Sequence, residues 1–244
     1  MKDKIILLDV ETNVFQNQEE EHFDVIQIGA YRLNGLNITK KFDKFIQPTK
    51  NPILTDFIKD LTRIKQDEVD TAGTFPVVWR EFTDFCKPYN IMMSWGYYDW
   101  KILKRVCDFY NLPFYFQEHI NLKEYYQYMM SVKKGRRGLK SAVEDLGIFY
   151  DAENHHNALA DVKMIYDVMD YLVKNRIFTT FYKKTYWSTS GEYQVAKSSE
   201  PPSVTSDKVR MNPCLLKKRN GYLKKAEKLD EYFGKSHRDE FPES

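Results

Sequence analysis

The chain has 244 residues, room for one substantial domain with an appendage or for two small domains. Hydrophobic residues make up 42%, enough for a core, while 30% charged residues and the lack of any long apolar run exclude a helical membrane protein. The formal net charge of +2 is unevenly spread, because residues 178–244 hold 13 Lys and Arg against 9 Asp and Glu, and the first 177 hold 24 against 26.

The first predicted element is a strand, Lys4 to Asn13, whose Ile and Leu run ends in Asp9 and Glu11. Residues two apart in a strand share a face, so these carboxylates project side by side. They repel unless a cation lies between them, and oxygen ligands of this kind suit Mg²⁺ or Mn²⁺. Taken alone, the pair equally marks a strand emerging into solvent. An acidic loop, 16–22, leads to a second strand at 24–33. Asn34-Gly35 signals a hairpin, and a third strand runs from Asn37 to Gln47, ending at Pro48.

From Pro52 the spacing becomes helical, with Leu54, Phe57, Ile58 and Leu61 on one predicted face. A second helix begins at Thr74, its Phe75, Val78, Trp79, Phe82 and Phe85 read as packing. Ile91 to Gly96 is a short fourth strand, and Asp99 stands near the start of the helix after it. Helices are predicted at 122–130 and 139–146, the latter closed by Gly147. Between them Lys133, Lys134, Arg136 and Arg137 form a basic loop, suited to phosphate contact or to plain solvation. The last helix of this body runs from Ala158 to Lys174 with Asn157 as its N-cap.

The chain then changes character. Residues 188–207 are rich in Ser, Thr and Pro and read as a linker, and 215–233 form a Lys-rich segment with uneven helical spacing. The expected division is therefore a body over 1–177 and a basic extension over 178–244, the extension meeting a polyanion, a protein partner or only solvent. Cys86, Cys107 and Cys214 are sparse and lack metal-ligand spacing, which favours a reducing, intracellular and cytoplasmic setting. Asp3 and Asp9 interrupt what would otherwise be the apolar core of a signal peptide.

The stretch His155-His156-Asn157-Ala158-Leu159-Ala160-Asp161 decides among these readings. His156 and Asp161 would diverge by about 140° within one helix, so they reach one site only if His156 hangs from the preceding loop. In chain order the acids and histidine read Asp9-x-Glu11, Asp99, His156, Asp161. This order resembles the DEDDh family of 3′→5′ exonucleases, which includes polymerase proofreading subunits, RNase T and oligoribonuclease. The resemblance covers roughly residues 4–175. It extends to Val25-Ile26-Gln27-Ile28-Gly29-Ala30, Phe45-Ile46-Gln47-Pro48, Leu61-Thr62-Arg63-Ile64 and Gly138-Leu139-Lys140. Asn13 and Arg63 depart from the commonest pattern. Ser94-Trp95-Gly96-Tyr97-Tyr98-Asp99 looks more like KapD and the exoribonucleases that trim structured RNA ends.

The resemblance implies an α/β, RNase H-like fold: a mixed sheet of three antiparallel strands and then parallel strands, flanked by helices. It implies 3′→5′ hydrolysis of single-stranded RNA or DNA to nucleoside 5′-monophosphates, with two Mg²⁺ or Mn²⁺ ions held by Asp9, Glu11, Asp99 and Asp161. His156 would be the general base, the family spacing favouring it over the competing candidate His155, which the Asn157 cap displaces by one further residue and turns to solvent. Val10 and Thr12 would meet the terminal nucleotide, with Trp95, Tyr97 or Tyr98 as candidates to stack on a base. For Trp95, packing into the core competes with that role. A proofreading subunit and a nucleic-acid-binding adaptor using the basic extension are the rival readings.

Overall fold

A computed structural model describes residues 4–13, 24–130, 138–151, 155–174, 185–187 and 193–195. Strand β1 (Lys4–Asn13) is the middle strand of a five-stranded sheet of order β3-β2-β1-β4-β5. It pairs antiparallel with β2 (Asp24–Asn34), which pairs antiparallel with β3 (Asn37–Phe45). On its other side β4 (Ile91–Ser94) runs parallel to it, and β5 (Glu118–Asn121) runs parallel to β4. This is the mixed sheet that the resemblance implies. The central position explains the apolar run: Ile5, Ile6, Leu7 and Leu8 are all 0% exposed, as a strand covered on both faces requires.

Seven helices are described, α1 (Asp56–Thr62), α2 (Gln66–Asp70), α3 (Phe75–Cys86), α4 (Tyr98–Phe109), α5 (Leu122–Met129), α6 (Leu139–Asp145) and α7 (Ala158–Lys174). On one face of the sheet, Ile6, Leu8, Val10, Ile28 and Ala30 pack with Val78, Trp79 and Phe82 of α3 and Ile102, Leu103 and Val106 of α4. The alternation of β2 sends Gln27, Gly29 and Tyr31 to the opposite face, where α7 lies. Tyr166 of α7 donates its hydroxyl to the Leu36 carbonyl at 2.8 Å and meets the Tyr31 ring edge-on.

Several sequence expectations shift. The hairpin turn falls on Gly35 and Leu36, one residue later than the Asn-Gly signal, with φ of 59° at Gly35 and Asn34 paired to Asn37. Strand β3 stops at Phe45 because the Gln47 N–H turns away to the Gly73 carbonyl, at 3.0 Å. Phe57 is 58% exposed rather than core-facing. Leu54 and Ile58 are buried as expected, 1% and 3% exposed, but Leu54 lies before the N-cap Thr55, and the buried residues of α1 itself are Ile58 and Thr62. Strand β5 and helix α2 have no counterpart among the sequence expectations. Gly147, with φ of 66°, terminates α6 as expected.

The chain divides into two compact units, 1–124 with 135–170, and 125–134 with 171–244. In the second, β6 (Thr185–Trp187) pairs antiparallel with β7 (Tyr193–Val195), the latter inside the stretch that reads as a linker. The basic loop at 133–137 and the segment 215–233 lie outside the described residues. Among the described residues no helix is long and apolar enough to cross a membrane.

Candidate active site

The register of β1 on β2 sets the geometry. Asp9 lies opposite Gly29 and Glu11 opposite Gln27, so both acids share the sheet face that carries α7. Gly29 lets that helix come close: a Cβ there would sit 2.5 Å from the Ala158 carbonyl carbon and the Leu159 nitrogen. Gln27, fully buried, accepts from the Ala158 N–H at 3.1 Å and donates to Asp43 Oδ1 at 2.8 Å. Asn157 caps the helix as expected, its Oδ1 accepting from the Ala160 N–H at 3.2 Å and its carbonyl from the Asp161 N–H at 2.9 Å. The start of α7, carrying Asp161, is thus seated over the two acids of β1.

Asp9, Glu11 and Asp161 present carboxylate oxygens within 4.8 Å of one another. Asp99 joins from the first turn of α4, buried at 5% exposure. The Ser94 side chain and the Val10 backbone hydrogen-bond to it. Charge crowding shows in the proton affinities. Burial, then Asp99, Asp161 and Glu11, raise Asp9 well above the ordinary carboxylate range. Burial, then Asp161 and Asp99, push Glu11 up to about 9. Burial pushes Asp99 to about 6, with Asp161 adding to it while the hydrogen bonds oppose. A divalent cation fits this donor set, since it offers the opposite charge to a group of hard oxygen ligands.

The histidines depart from the expected arrangement. His155 does not turn to solvent; its Nδ1 lies 2.9 Å from Asp161 Oδ1, and its side chain is 19% exposed. His156 takes a left-handed φ of 71°, which folds the loop back so that its own N–H also points to Asp161 Oδ1, at 3.4 Å. The two rings stack with centroids 3.9 Å apart. Burial first, and then His155, lower the pKa of His156 against the opposing pull of Asp161.

Of the residues expected to meet substrate, Thr12 lies at the site's edge, its hydroxyl 3.1 Å from that of Tyr98. The Val10 side chain belongs to the hydrophobic core, leaving its backbone as the polar group, bonded to Asp99. Trp95 is only 9% exposed and packs, whereas Tyr97 and Tyr98 are 40% and 49% exposed. Sequence reasoning missed the structural tasks of Gln27 and Gly29. It also missed Asn13, whose buried amide donates to the Asn51 carbonyl at 2.9 Å and the Ile53 carbonyl at 3.3 Å, tying the end of β1 to the next loop. Alternation places Gln27 and Gly29 on one face of β2, but that they stand opposite the acids is set by the register with β1.

Comparison with known proteins agrees with the geometry. An exonuclease family model of the RNase T type matches residues 6–169. The human 3′-5′ exoribonuclease 1 is 29% identical over 166 residues, 63% of this chain and 48% of that protein. The probable 3′-5′ exonuclease KapD of Bacillus subtilis is 28% identical over 145 residues, 59% of this chain and 70% of its own length. The chain thus spans about half the length of its human relative. Among solved structures, the nuclease domain of 3′hExo, a DEDDh family member bound to rAMP, superposes with a TM-score of 0.65. It is 28% identical, over 72% of this chain and 94% of that domain. The chain belongs to this exonuclease family, in its DEDDh branch.

Proposed function

We propose that the chain is a 3′→5′ exoribonuclease that removes nucleoside 5′-monophosphates one at a time from the 3′ end of single-stranded RNA. The observation that carries this is the meeting of Asp9, Glu11, Asp99 and Asp161, from three separate elements, beside a histidine whose proton affinity is lowered. The names of its relatives, exoribonuclease 1 among them, favour RNA.

Asp9, Glu11, Asp99 and Asp161 would hold two Mg²⁺ or Mn²⁺ ions. When bound, such ions lower the pKa of water and stabilise the charge on the departing 3′ oxygen. The remaining work falls to the chain. His156 takes the proton of the attacking water, and its lowered pKa keeps the imidazole neutral and able to accept. His155 holds the Asp161 carboxylate in place through its Nδ1. Thr12 and the Val10 backbone border the terminal sugar, and Tyr98, half exposed above Thr12, offers its ring to the terminal base.

The test uses RNA and DNA oligonucleotides labelled at the 5′ end, incubated with Mg²⁺ or Mn²⁺. A ladder shortening from the 3′ end, faster on RNA, is expected. The absence of cleavage with either metal on either substrate would favour a binding adaptor instead.

A further inference from the structure

A cleft of about 240 Å³ lies on the face of the sheet opposite Asp9 and Glu11, between α4 and the ends of β2 and β3. Its floor is aromatic: Phe75 stacks on Tyr110 with centroids 5.8 Å apart, and Tyr110 meets Phe109 edge-on at 4.9 Å. Lys50 and Arg105 line it as well. The Lys50 ammonium stands 4.5 Å from the centre of the Phe109 ring. Asp24, the acid of the lining, accepts from the backbone N–H groups of Thr49, Lys50 and Asn51. Its charge is spent on fixing this loop.

We propose that this cleft is a second nucleotide-binding site, taking a base against Phe109 and Tyr110 and a phosphate at Lys50 and Arg105. The proposal rests on the nuclease reading and extends it to a nucleotide other than the one being cleaved. Three features carry it.

The first is chemistry. Aromatic faces beside cations form the platform that sequence-tolerant nucleic-acid binding uses. Phe109 is 47% exposed, a large apolar ring kept at the surface.

The second is alignment. Tyr98, Arg105 and Phe109 are seven and eleven residues apart on α4 and fall within roughly 20° of one line along the helix. That line starts at the residue hydrogen-bonded to Thr12 and runs about 16 Å to Phe109.

The third is continuity. Val25, in the cleft wall, pairs with Thr12, and Asp24 pairs with Asn13, so the wall is built on the catalytic end of β1. Asn13 in turn anchors the loop after Lys50 through the Asn51 and Ile53 carbonyls.

The experiment compares Phe109→Ala, Phe109→Trp and Lys50→Ala in the full chain. Binding of a fluorescent RNA oligonucleotide is read by anisotropy in Ca²⁺, across a range of salt, and hydrolysis of the p-nitrophenyl ester of thymidine 5′-monophosphate is read in Mn²⁺. Phe109→Ala should weaken oligonucleotide binding about tenfold, as loss of one stacked base predicts, and Phe109→Trp should restore it. Lys50→Ala should lower the slope of log affinity against log salt by about one. Ester hydrolysis should stay within about twofold in all three, because the ester reaches only the cleavage site. Unchanged binding and salt slope would overturn the proposal, and so would ester hydrolysis falling together with binding. Should the wild-type chain hydrolyse neither the ester nor a 5′-labelled RNA or DNA oligonucleotide, the nuclease reading fails, while the anisotropy arm still decides the cleft, since it needs no turnover.

Discussion

The crowded acids make a prediction about stability that needs no substrate. In the folded chain Glu11 is pushed up to about 9 from an ordinary 4.5, chiefly by burial and by Asp161. Its neutral form is therefore favoured in the folded state. The stability belonging to this group is fully present below about pH 4.5 and is lost as pH rises towards about 9. At pH 8 the unfolded chain carries Glu11 ionised while the folded chain keeps it largely protonated, and taking up that proton costs about 5 kcal/mol, at about 1.36 kcal/mol per unit. Glu11→Gln keeps the shape and removes the titration. With EDTA present, thermal unfolding of Glu11→Gln at pH 8 should exceed wild type by at least ~4 °C, taking ~2–4 °C per kcal/mol for a chain of this size. At pH 5 the two proteins should agree within about 2 °C, because wild-type Glu11 is largely protonated there. Saturating Mn²⁺ should stabilise wild type more than the variant. An equal difference at pH 5 and pH 8 in chelator would refute the electrostatic account.

The same geometry makes other variants informative. Gly29→Ala should displace the start of α7 and lower both Mn²⁺ affinity, by calorimetry, and turnover by more than tenfold, or about 1.4 kcal/mol. His156→Ala should slow single-turnover cleavage by about 10²–10⁴-fold with little change in metal binding. His155→Ala, losing the bond to Asp161, should weaken metal affinity instead, so the two variants separate in calorimetry and rate. The acidic limb of the wild-type pH–rate profile should have its midpoint below 6.5, since His156 is held below that ordinary value. Arg63 occupies a left-handed C-cap with φ of 62°, so Arg63→Gly should raise the melting temperature by roughly 2–4 °C, for about 1 kcal/mol of relieved strain.

The sequence made the site legible wherever a single element carries the information. Alternation in β1 put Asp9 and Glu11 on one face, and Asn157 announced the start of α7 at the residue the structure uses. What stayed hidden depends on contacts between elements. No local pattern says that Gly29 sits under Ala158, or that Gln27 bridges Asp43 and α7, because Ala158 lies 131 residues beyond Gln27 in the chain. The His155 ring was misplaced for a related reason. A helix cap fixes the direction of the helix after it, whereas the direction of the residues before it is set by the left-handed φ at His156. Strand β5 has four residues and pairs only at the sheet edge, too short a run for periodicity to reveal.

The two faces of β1 divide the labour of holding and reacting, which yields a last prediction. Ile6, Leu8 and Val10 point into the core shared with α3 and α4, while Asp9 and Glu11 point to the other face. A slip of one residue would exchange the two sets, so the core that fixes register also fixes where the acids stand. With Ile5 and Leu7 also buried, β1 carries five aliphatic side chains, each contributing about 1.5–3 kcal/mol on full burial. Together they exceed the cost of about 5 kcal/mol that keeping Glu11 protonated imposes at pH 8. The metal-stripped chain should therefore remain folded in EDTA at pH 8, with a single cooperative melt and a circular dichroism spectrum matching the loaded protein at about 20 °C. Loss of the helical signal on chelation at that pH would mean that the cation, and not the strand, holds this end of the sheet together.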